Sequence, residues 1–493
     1  MIYNFNLGIG WASSGVEYAQ IYRARMFRNI GVDAKFVFTD MFPQENIEHM
    51  TKNIGFEDSE VIWLYTFFTD FKTAPVTYTL SDLEKTFTNQ EYTKKREGKI
   101  CRYLFNGSNN FYTAYMVNDH DDYVHRVEMV SGGCLIRKDY FTYGRVYSEY
   151  YAPLDNAAHL YHRRFFNEDG SVAYEEMIDD DKVMYKFKDK MLCSKEEFVG
   201  YMVSQLHLTR DDIVIIDRTT DIGQAIMMNC KPAKVGIIVH ADHFSEKDTN
   251  DDYILWNNYY EYDFNMHKHV DFYVCATQAQ SDLMKAQFEK YYGVTPNMYT
   301  IPVGSLPELK YPSSTRKPYS LITASRLASE KHVDWICKAV IQARSEVPEL
   351  SLDIYGVGGE REKLENIIKE NNASSYIHLM GQHDLSEVYQ NYEAYIAGST
   401  SEGFGLTLME AVGGGLPIIG FDVRYGNPTF IRDGENGYLI SLPEEDKDRV
   451  EALRKGIVDL FKQDLEHCHS VSYLVAQDFL TSNVQEKWRE AVC

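Results

Sequence analysis

Glu402-Gly403-Phe404-Gly405-Leu406-Thr407-Leu408-Met409-Glu410 is a glycine turn that runs straight into an apolar helix start, with a carboxylate on each side. Gly403 and Gly405 let backbone approach a ligand closely. The amides of Leu406 and Thr407 fall at a helix N-terminus, where unpaired donors and the helix dipole favour a phosphate. Glu410, about one turn into the helix, can accept hydrogen bonds from a pair of sugar hydroxyls. Glu402 can reach the other side of the same ligand. A phosphate between two polyols has the shape of a nucleotide sugar. Short apolar runs at residues 394–397 and 417–420 flank the segment, which makes it the turn and helix of a parallel β-α-β unit.

Similar runs at residues 320–324, 352–355, 377–379 and 438–440 alternate with helical stretches, so the second half of the chain reads as a parallel sheet covered by helices. The first half opens the same way. A strand at residues 2–5 enters the loop Leu7-Gly8-Ile9-Gly10-Trp11-Ala12-Ser13-Ser14-Gly15, a helix starts near Val16, and a second strand covers residues 34–38. The parallel pattern resumes at residues 213–216, 235–239, 272–275 and 298–301. Between lie residues 100–105, 111–117, 123–129, 145–150, 158–166 and 172–185, rich in Tyr, Phe and Val. They are separated by Asn106-Gly107, Asn118-Asp119 and Asn167-Glu168-Asp169-Gly170, the punctuation of consecutive hairpins.

The predicted fold is α/β, with two Rossmann-like doubly wound domains and a β-rich antiparallel insertion in the first. Residues 1–45 and 206–305 form the first domain, residues 46–205 the insertion, residues 306–475 the second domain, and residues 476–493 a terminal helix packing back on the first. Residues 302–318 hold four prolines and three serines and read as a linker. Asn427 and Glu435-Asn436-Gly437 read as turns, and a helical pattern runs on from residue 471. Two doubly wound domains bind ligands at the carboxyl ends of their strands, so the informative residues should follow strands.

A chain of 493 residues needs more than one core. Its net charge of -23 argues against nucleic acid as the main partner. The eight cysteines contain no C-x-x-C pair, which fits a reduced cytoplasmic protein. Met1-Ile2-Tyr3-Asn4-Phe5 has no basic or long apolar character, so no signal peptide is expected. Nor does any apolar run approach membrane-spanning length. The sequon Asn106-Gly107-Ser108 therefore reads as a turn.

Several strand-end groups add to the Glu402 segment. Arg326 and Lys331, after residues 320–324, suit a diphosphate: Arg as a bidentate fork, Lys as a point charge. They would neutralise charge on a departing nucleoside diphosphate. His240-Ala241-Asp242-His243 follows residues 235–239. An H-x-x-H pair without a third ligand is a poor metal site, so His240 is read as a donor to a sugar hydroxyl and His243 as loop support. Gln382 and His383 follow another strand and can present backbone groups and a ring face to a base. Gly8-Ile9-Gly10 is equally a tight turn or an approach to a diphosphate. It is not the dinucleotide fingerprint, because its third glycine comes too late. Gly356-Val357-Gly358-Gly359 reads as a structural turn, Gly413-Gly414-Gly415 as a helix stop, and His267-Lys268-His269 as a solvated face.

At these residues the chain resembles the retaining glycosyltransferases of the GT-B type, whose hallmark glutamate pair is matched by Glu402 and Glu410. It also resembles, nearly end to end, the GtfA-type catalytic subunits that begin O-glycosylation of bacterial serine-rich repeat adhesins. That resemblance is carried by Ile9-Gly10-Trp11-Ala12-Ser13-Ser14-Gly15-Val16-Glu17-Tyr18, His240-Ala241-Asp242-His243-Phe244-Ser245-Glu246, Tyr253-Ile254-Leu255-Trp256-Asn257-Asn258-Tyr259-Tyr260 and the insertion. It implies transfer of N-acetylglucosamine from UDP-GlcNAc to Ser/Thr of an adhesin in the cytoplasm before accessory Sec export. It also implies a GtfB-like partner subunit docked through the insertion.

By the same resemblance, Gly15, Val16, Glu17, Tyr18, Gln382 and His383 contact UDP, while His240, Glu402, Gly403, Phe404 and Gly405 contact the sugar. Arg326 and Lys331 then serve the diphosphate and Glu410 the ribose. No cofactor and no metal are expected, because no Asp-x-Asp segment sits at a strand end beside these motifs.

The alternatives are a UDP-glucose-dependent transferase to the same protein or to poly(glycerol phosphate) teichoic acid, and a non-catalytic companion subunit. The charge of -23 leans against an acidic polymer, and the presence of Glu402, Arg326 and Lys331 leans against the companion. The basic aromatic stretches His162-Arg163-Arg164-Phe165-Phe166 and Tyr185-Lys186-Phe187-Lys188 read as strand faces, with a partner or a peripheral contact on the inner membrane face as the other reading.

Overall fold

The computed structural model describes residues 1–9, 15–88, 90–107 and 109–493. It divides into two compact units. One comprises Met1–Ala24, Val32–Ile238 and Asn258–Asp271, the other Arg25–Gly31, Val239–Asn257 and Phe272–Cys493. Gly10, Trp11, Ala12, Ser13 and Ser14 of the first glycine loop, and Ser108 of the sequon, lie outside the described residues.

In the first unit parallel strands run in the order Lys234–Val239, Ile213–Ile216, Ile2–Asn6, Ala34–Phe38, Val61–Trp63. Ile2 pairs with both Ile213 and Ala34, and Phe36 with Val61. All four residues of Ile213–Ile216 are buried, as an unbroken apolar run in a sheet covered on both faces should be. The helix Gly15–Ile30 is locked to this sheet by a buried polar network. Asn6 Nδ2 donates to Gln20 Oε1 at 3.0 Å, Gln20 Nε2 to Asp217 Oδ2 at 2.8 Å, and Arg23 Nη2 to Asp217 Oδ1 at 2.6 Å. Gln20 and Arg23 are one helical turn apart and so share a face.

Val61–Trp63 joins the parallel sheet although it falls in the span read from sequence as insertion. Three residues are too few to show a period. The ten antiparallel strands that follow form a meander in which each neighbours the next in sequence, from Tyr92–Glu97 to Met191–Leu192. Residues 172–185, read as one strand, are two, Val172–Asp179 and Lys182–Lys186, turned by Asp180 at φ 53°. Tyr92–Glu97 and Cys134–Phe141 escaped the sequence reading. The first is a charged edge strand (Tyr-Thr-Lys-Lys-Arg-Glu), and lysines there guard an unpaired edge rather than mark a buried face. The first basic stretch lies on a strand with its charge neutralised: Arg163 donates to Glu149 at 2.9 Å and Glu176 at 2.8 Å, and Arg164 to Glu175 at 2.9 Å. In the second the strand ends at Lys186, so Phe187 and Lys188 lie past it.

The second unit holds a six-stranded parallel sheet: Ile377–Gly381, Ser351–Tyr355, Ser320–Ala324, Ala394–Ile396, Ile418–Phe421, Gly437–Ile440. Numbered along the chain this is 3-2-1-4-5-6, the doubly wound order, and it reverses between Ser320–Ala324 and Ala394–Ile396. Residues 302–318 are not a free linker. Leu306 N–H donates to Phe479 O at 2.8 Å and Lys310 N–H to Gly413 O at 2.9 Å. The buried Arg316 guanidinium donates to the carbonyls of Gln390, Tyr392 and Gly414 at 2.9, 2.9 and 2.8 Å. The segment is a packed strap in which Arg316 satisfies three carbonyls.

Asn427, read as a turn, lies buried in the helix Gly426–Phe430 and donates to Phe421 O at 2.8 Å. A turn does form at Gly434 and Gly437, both at positive φ, around the buried Asn436. The C-terminal helices are Leu465–Gln477 and Thr481–Val492, and Trp488 lies edge-on to Phe27 with ring centroids 5.3 Å apart.

Candidate functional site

The crossover of the second sheet brings two loops together. One leaves Ser320–Ala324 and carries Arg326 and Lys331. The other leaves Ala394–Ile396 and carries Glu402. Gly398 permits the approach: a Cβ there would lie 2.9 Å from His332 O and 3.0 Å from Lys331 O. This glycine went unnoticed in the sequence because it belongs to no motif. Gly356 and Gly358 support the first loop, since a Cβ at Gly356 would fall 1.9 Å from Ser325 O and one at Gly358 2.4 Å from Leu327 O. Their role is structural, as read.

Lys331 Nζ donates to Glu402 Oε2 at 2.6 Å, with side chains 18% and 21% exposed. The cation assigned to the diphosphate and the carboxylate assigned to the sugar are therefore neighbours. One ammonium proton faces Glu402, and two donors remain for phosphate oxygens. Arg326 stands apart from this pair, 79% exposed and 3.2 Å from Glu330 Oε1.

The Glu402 turn is clamped by backbone. Glu402 N–H donates to Arg424 O at 3.1 Å, while Tyr425 and Gly426 N–H donate to Glu402 O at 2.6 and 2.7 Å. Gly405 sits at φ +88°, where a Cβ would meet Leu408 Cδ1 at 2.6 Å. A Cβ at Gly403 would touch His240 O at 3.4 Å, so the turn passes against the His240 loop. The Phe404 ring is buried against Phe430 and Phe479, at 5.2 and 5.9 Å. Its part toward a sugar is thus confined to its main chain.

The helix Leu406–Gly413 starts without a side-chain cap. Its first amides, Leu406 and Thr407 among them, are the donors a phosphate would use. Thr407 Oγ1 lies 3.0 Å from Tyr395 OH. Glu410 accepts from Tyr389 OH at 2.9 Å, and burial raises its carboxyl pKa above the ordinary value.

The His240 loop is held from several sides. Gln280 Nε2 donates to Ala241 O at 2.8 Å and Tyr425 OH to Asp242 Oδ1 at 2.6 Å. His243 is fully buried, with Nε2 2.6 Å from Gln287 Oε1 and Nδ1 3.2 Å from Tyr425 OH. Burial lowers its pKa to about 4, so the ring is neutral at pH 7 and both nitrogens are engaged by protein. It supports the loop, as read, and does not pair with His240 as a metal ligand. Tyr425 and Gln287 were invisible in the sequence, because neither follows a strand in a recognisable motif.

Gln382 and His383 follow Ile377–Gly381 and are both exposed. His383 Nε2 lies 2.8 Å from Met380 O and its ring stands edge-on to Tyr355, which fixes the imidazole plane. In the first unit, Gly15 to Tyr18 form the first turn of Gly15–Ile30. Tyr18 is exposed, whereas the Glu17 carboxylate is buried and 3.6 Å from Arg218 Nη2, so its side chain is committed to the protein.

A doubly wound sheet with cations and an uncapped glycine-led helix at its crossover is an arrangement that defines the class of GT-B glycosyltransferases. Comparison with known proteins agrees. Residues 310–473 match the glycosyl transferases group 1 family, and residues 93–189 match the GtfA extended beta-sheet domain. The chain is 52% identical to the UDP-N-acetylglucosamine--peptide N-acetylglucosaminyltransferase GtfA subunit of Streptococcus gordonii, over 99% of this chain and 97% of that one. A crystal structure of a GtfA/B complex superposes with a TM-score of 0.97 at 52% identity, covering 100% of this chain and 99% of that chain. The pneumococcal O-GlcNAc transferase GtfA in complex with UDP and GlcNAc gives 0.89 at 50% identity, covering 100% and 98%. The chain belongs to the GtfA family of glycosyltransferase subunits.

Proposed function

We propose that this chain transfers N-acetylglucosamine, with retention, from UDP-GlcNAc to Ser/Thr hydroxyls of a serine-rich repeat adhesin, the first step of that protein's O-glycosylation. The observation that carries the reading is the Lys331–Glu402 contact at the sheet crossover. A diphosphate ligand and a sugar ligand side by side are what a nucleotide sugar requires, because its phosphate and its anomeric carbon are bonded to each other.

In this scheme the first amides of Leu406–Gly413, with Arg326 and Lys331, bind the diphosphate, and Glu410 takes the ribose hydroxyls. Gln382 and His383 flank the base, and Gly15 to Tyr18 contribute to the UDP site from the first helix. His240, Glu402 and the main chain of Gly403 to Gly405 orient the sugar. The acceptor hydroxyl attacks the anomeric carbon from the face that UDP leaves, and its proton passes to a β-phosphate oxygen. Lys331 and Arg326 stabilise the charge that builds on the departing UDP, the largest contribution protein groups make to such a step. Positioning supplies the rest.

The antiparallel sheet of residues 92–192 is the docking surface for a GtfB-like partner, in keeping with the GtfA/B complex of the relative. The reaction is assigned to the cytoplasmic side, before export of the adhesin, with peripheral contact to the inner membrane face through the insertion as a further part of the proposal. Among the described residues no helix is long and apolar enough to cross a membrane. A donor screen with UDP-GlcNAc and UDP-glucose on a Ser/Thr-rich peptide, with and without a GtfB-type partner, tests the assignment. Faster UDP release from UDP-GlcNAc in the presence of peptide supports it. Preference for UDP-glucose, or release indifferent to peptide, refutes it.

A further inference from the structure

We propose that Tyr425 is a positioning residue of this site: its phenol ties the loop that carries His240 to the turn that carries Glu402. The inference rests on the transfer reaction proposed above. Tyr425 is 1% exposed. Its main-chain N–H holds the Glu402 carbonyl at 2.6 Å, as part of the backbone clamp on that turn. Its side chain reaches the other loop, where the phenol O–H donates to Asp242 Oδ1 at 2.6 Å and the phenol oxygen lies 3.2 Å from His243 Nδ1.

His243 is itself anchored, with Nε2 2.6 Å from Gln287 Oε1. Gln287 can accept there only from Nε2–H, so the neutral ring presents its Nδ1 lone pair to the phenol. The phenol proton lies toward the nearer acceptor, the Asp242 carboxylate, with the Nδ1 lone pair as its second, longer partner. A charge-assisted bond of this length, its phenol end buried and its carboxylate end half-buried, fixes both partners. Asp242 is two residues from His240, and Tyr425 is bonded directly to Glu402. One side chain therefore sets the spacing of the two groups assigned to the sugar. Filling the space needs only an aromatic ring; the hydroxyl is what makes the link.

The test uses the full chain with a GtfB-type partner, UDP-GlcNAc and a Ser/Thr-rich peptide. Tyr425→Phe keeps the ring and removes the link, Asp242→Ala removes it from the other side, and each is combined with His240→Ala. The expected result is a kcat about tenfold lower for either single variant, with the KM for donor and the Kd for UDP within about twofold of the parent. Added to His240→Ala, either change costs no further activity, because the link acts through His240. An unchanged kcat in a folded Tyr425→Phe variant overturns the inference, as do losses that multiply with that of His240→Ala. If Tyr425→Phe does not fold, the Asp242→Ala series gives the same decision from a loop position. Absence of transfer by the parent chain is a different failure, that of the transferase reading itself, and this inference falls with it.

Discussion

Lys331 Nζ lies 2.6 Å from Glu402 Oε2, although the two residues are 71 positions apart in the chain. They meet because the sheet order reverses between the strands that precede them. An ion pair still about one-fifth exposed contributes little to folding, about 0–1 kcal/mol. In the proposed reaction its value lies in holding a cation and a carboxylate side by side, one for the diphosphate and one for the sugar. Lys331→Ala should therefore lower transfer by roughly 100-fold or more while shifting stability by no more than about 1 kcal/mol. Glycopeptide formation and denaturant titration measure the two effects separately. Near parental rates in a folded variant would contradict the role given to Lys331.

Gly405 makes a second prediction. At φ +88°, with Leu408 Cδ1 2.6 Å from the position of an added Cβ, Gly405→Ala is both strained and crowded. A cost of about 1–3 kcal/mol is expected in urea unfolding, together with weaker UDP binding as the first helical turn shifts. Gly359→Ala is the control: its Cβ would meet nothing within 4 Å.

Glu410 should give UDP binding an acid limit. Its pKa is raised by burial, against the opposing hydrogen bond from Tyr389, so it takes up a proton in the folded chain at a pH above the ordinary 4.5. In the ribose role proposed for Glu410 only the carboxylate accepts from both hydroxyls, so UDP affinity should fall as pH drops toward that window. Calorimetry of UDP against pH should show the loss in the parent and a pH-independent, weaker affinity in Glu410→Gln. The stability term has the opposite sign: a raised carboxyl pKa costs stability as pH rises through the same window.

The doubly wound halves were legible because every strand from Ser320–Ala324 to Gly437–Ile440 is a short apolar run ending at a glycine, polar or charged loop. Arg326, Lys331, His240 and Glu402 were legible for the same reason, since each follows a strand. What escaped was anything set by tertiary contact alone. Tyr92–Glu97 is a strand only because Ile100–Phe105 pairs with it, and its lysines carry no β signal. Arg316 turned a proline-rich linker into a buried strap, and no local pattern announces three carbonyl partners. Tyr425 joins Asp242 from 183 residues away, a distance no motif spans.

Three histidines, His243 buried and His125 and His469 half-buried, weaken the fold toward acid pH. Burial lowers His125, His243 and His469 to about 4 from 6.5. The unfolded chain takes up these protons first, so stability is complete above the unfolded pKa and is lost as pH falls from about 6.5 toward 4. Each histidine contributes at most about 3 kcal/mol to that loss. Thermal melts from pH 7.5 to 4.5 should show Tm falling steeply below pH 6.5. His469→Gln, which can still donate to Glu393 O as His469 Nε2 does at 2.9 Å, should flatten the curve. A Tm constant over that range would refute the assignment.

In the proposed reaction this chain moves GlcNAc from UDP-GlcNAc to a Ser/Thr hydroxyl with retention. The most direct measurement is the mass and anomeric proton coupling of the product from a Ser/Thr-rich peptide, UDP-GlcNAc, the full chain and a GtfB-type partner. The predicted result is a peptide bearing GlcNAc in the same anomeric configuration as the donor. An unmodified peptide under UDP turnover, or an inverted linkage, would contradict it.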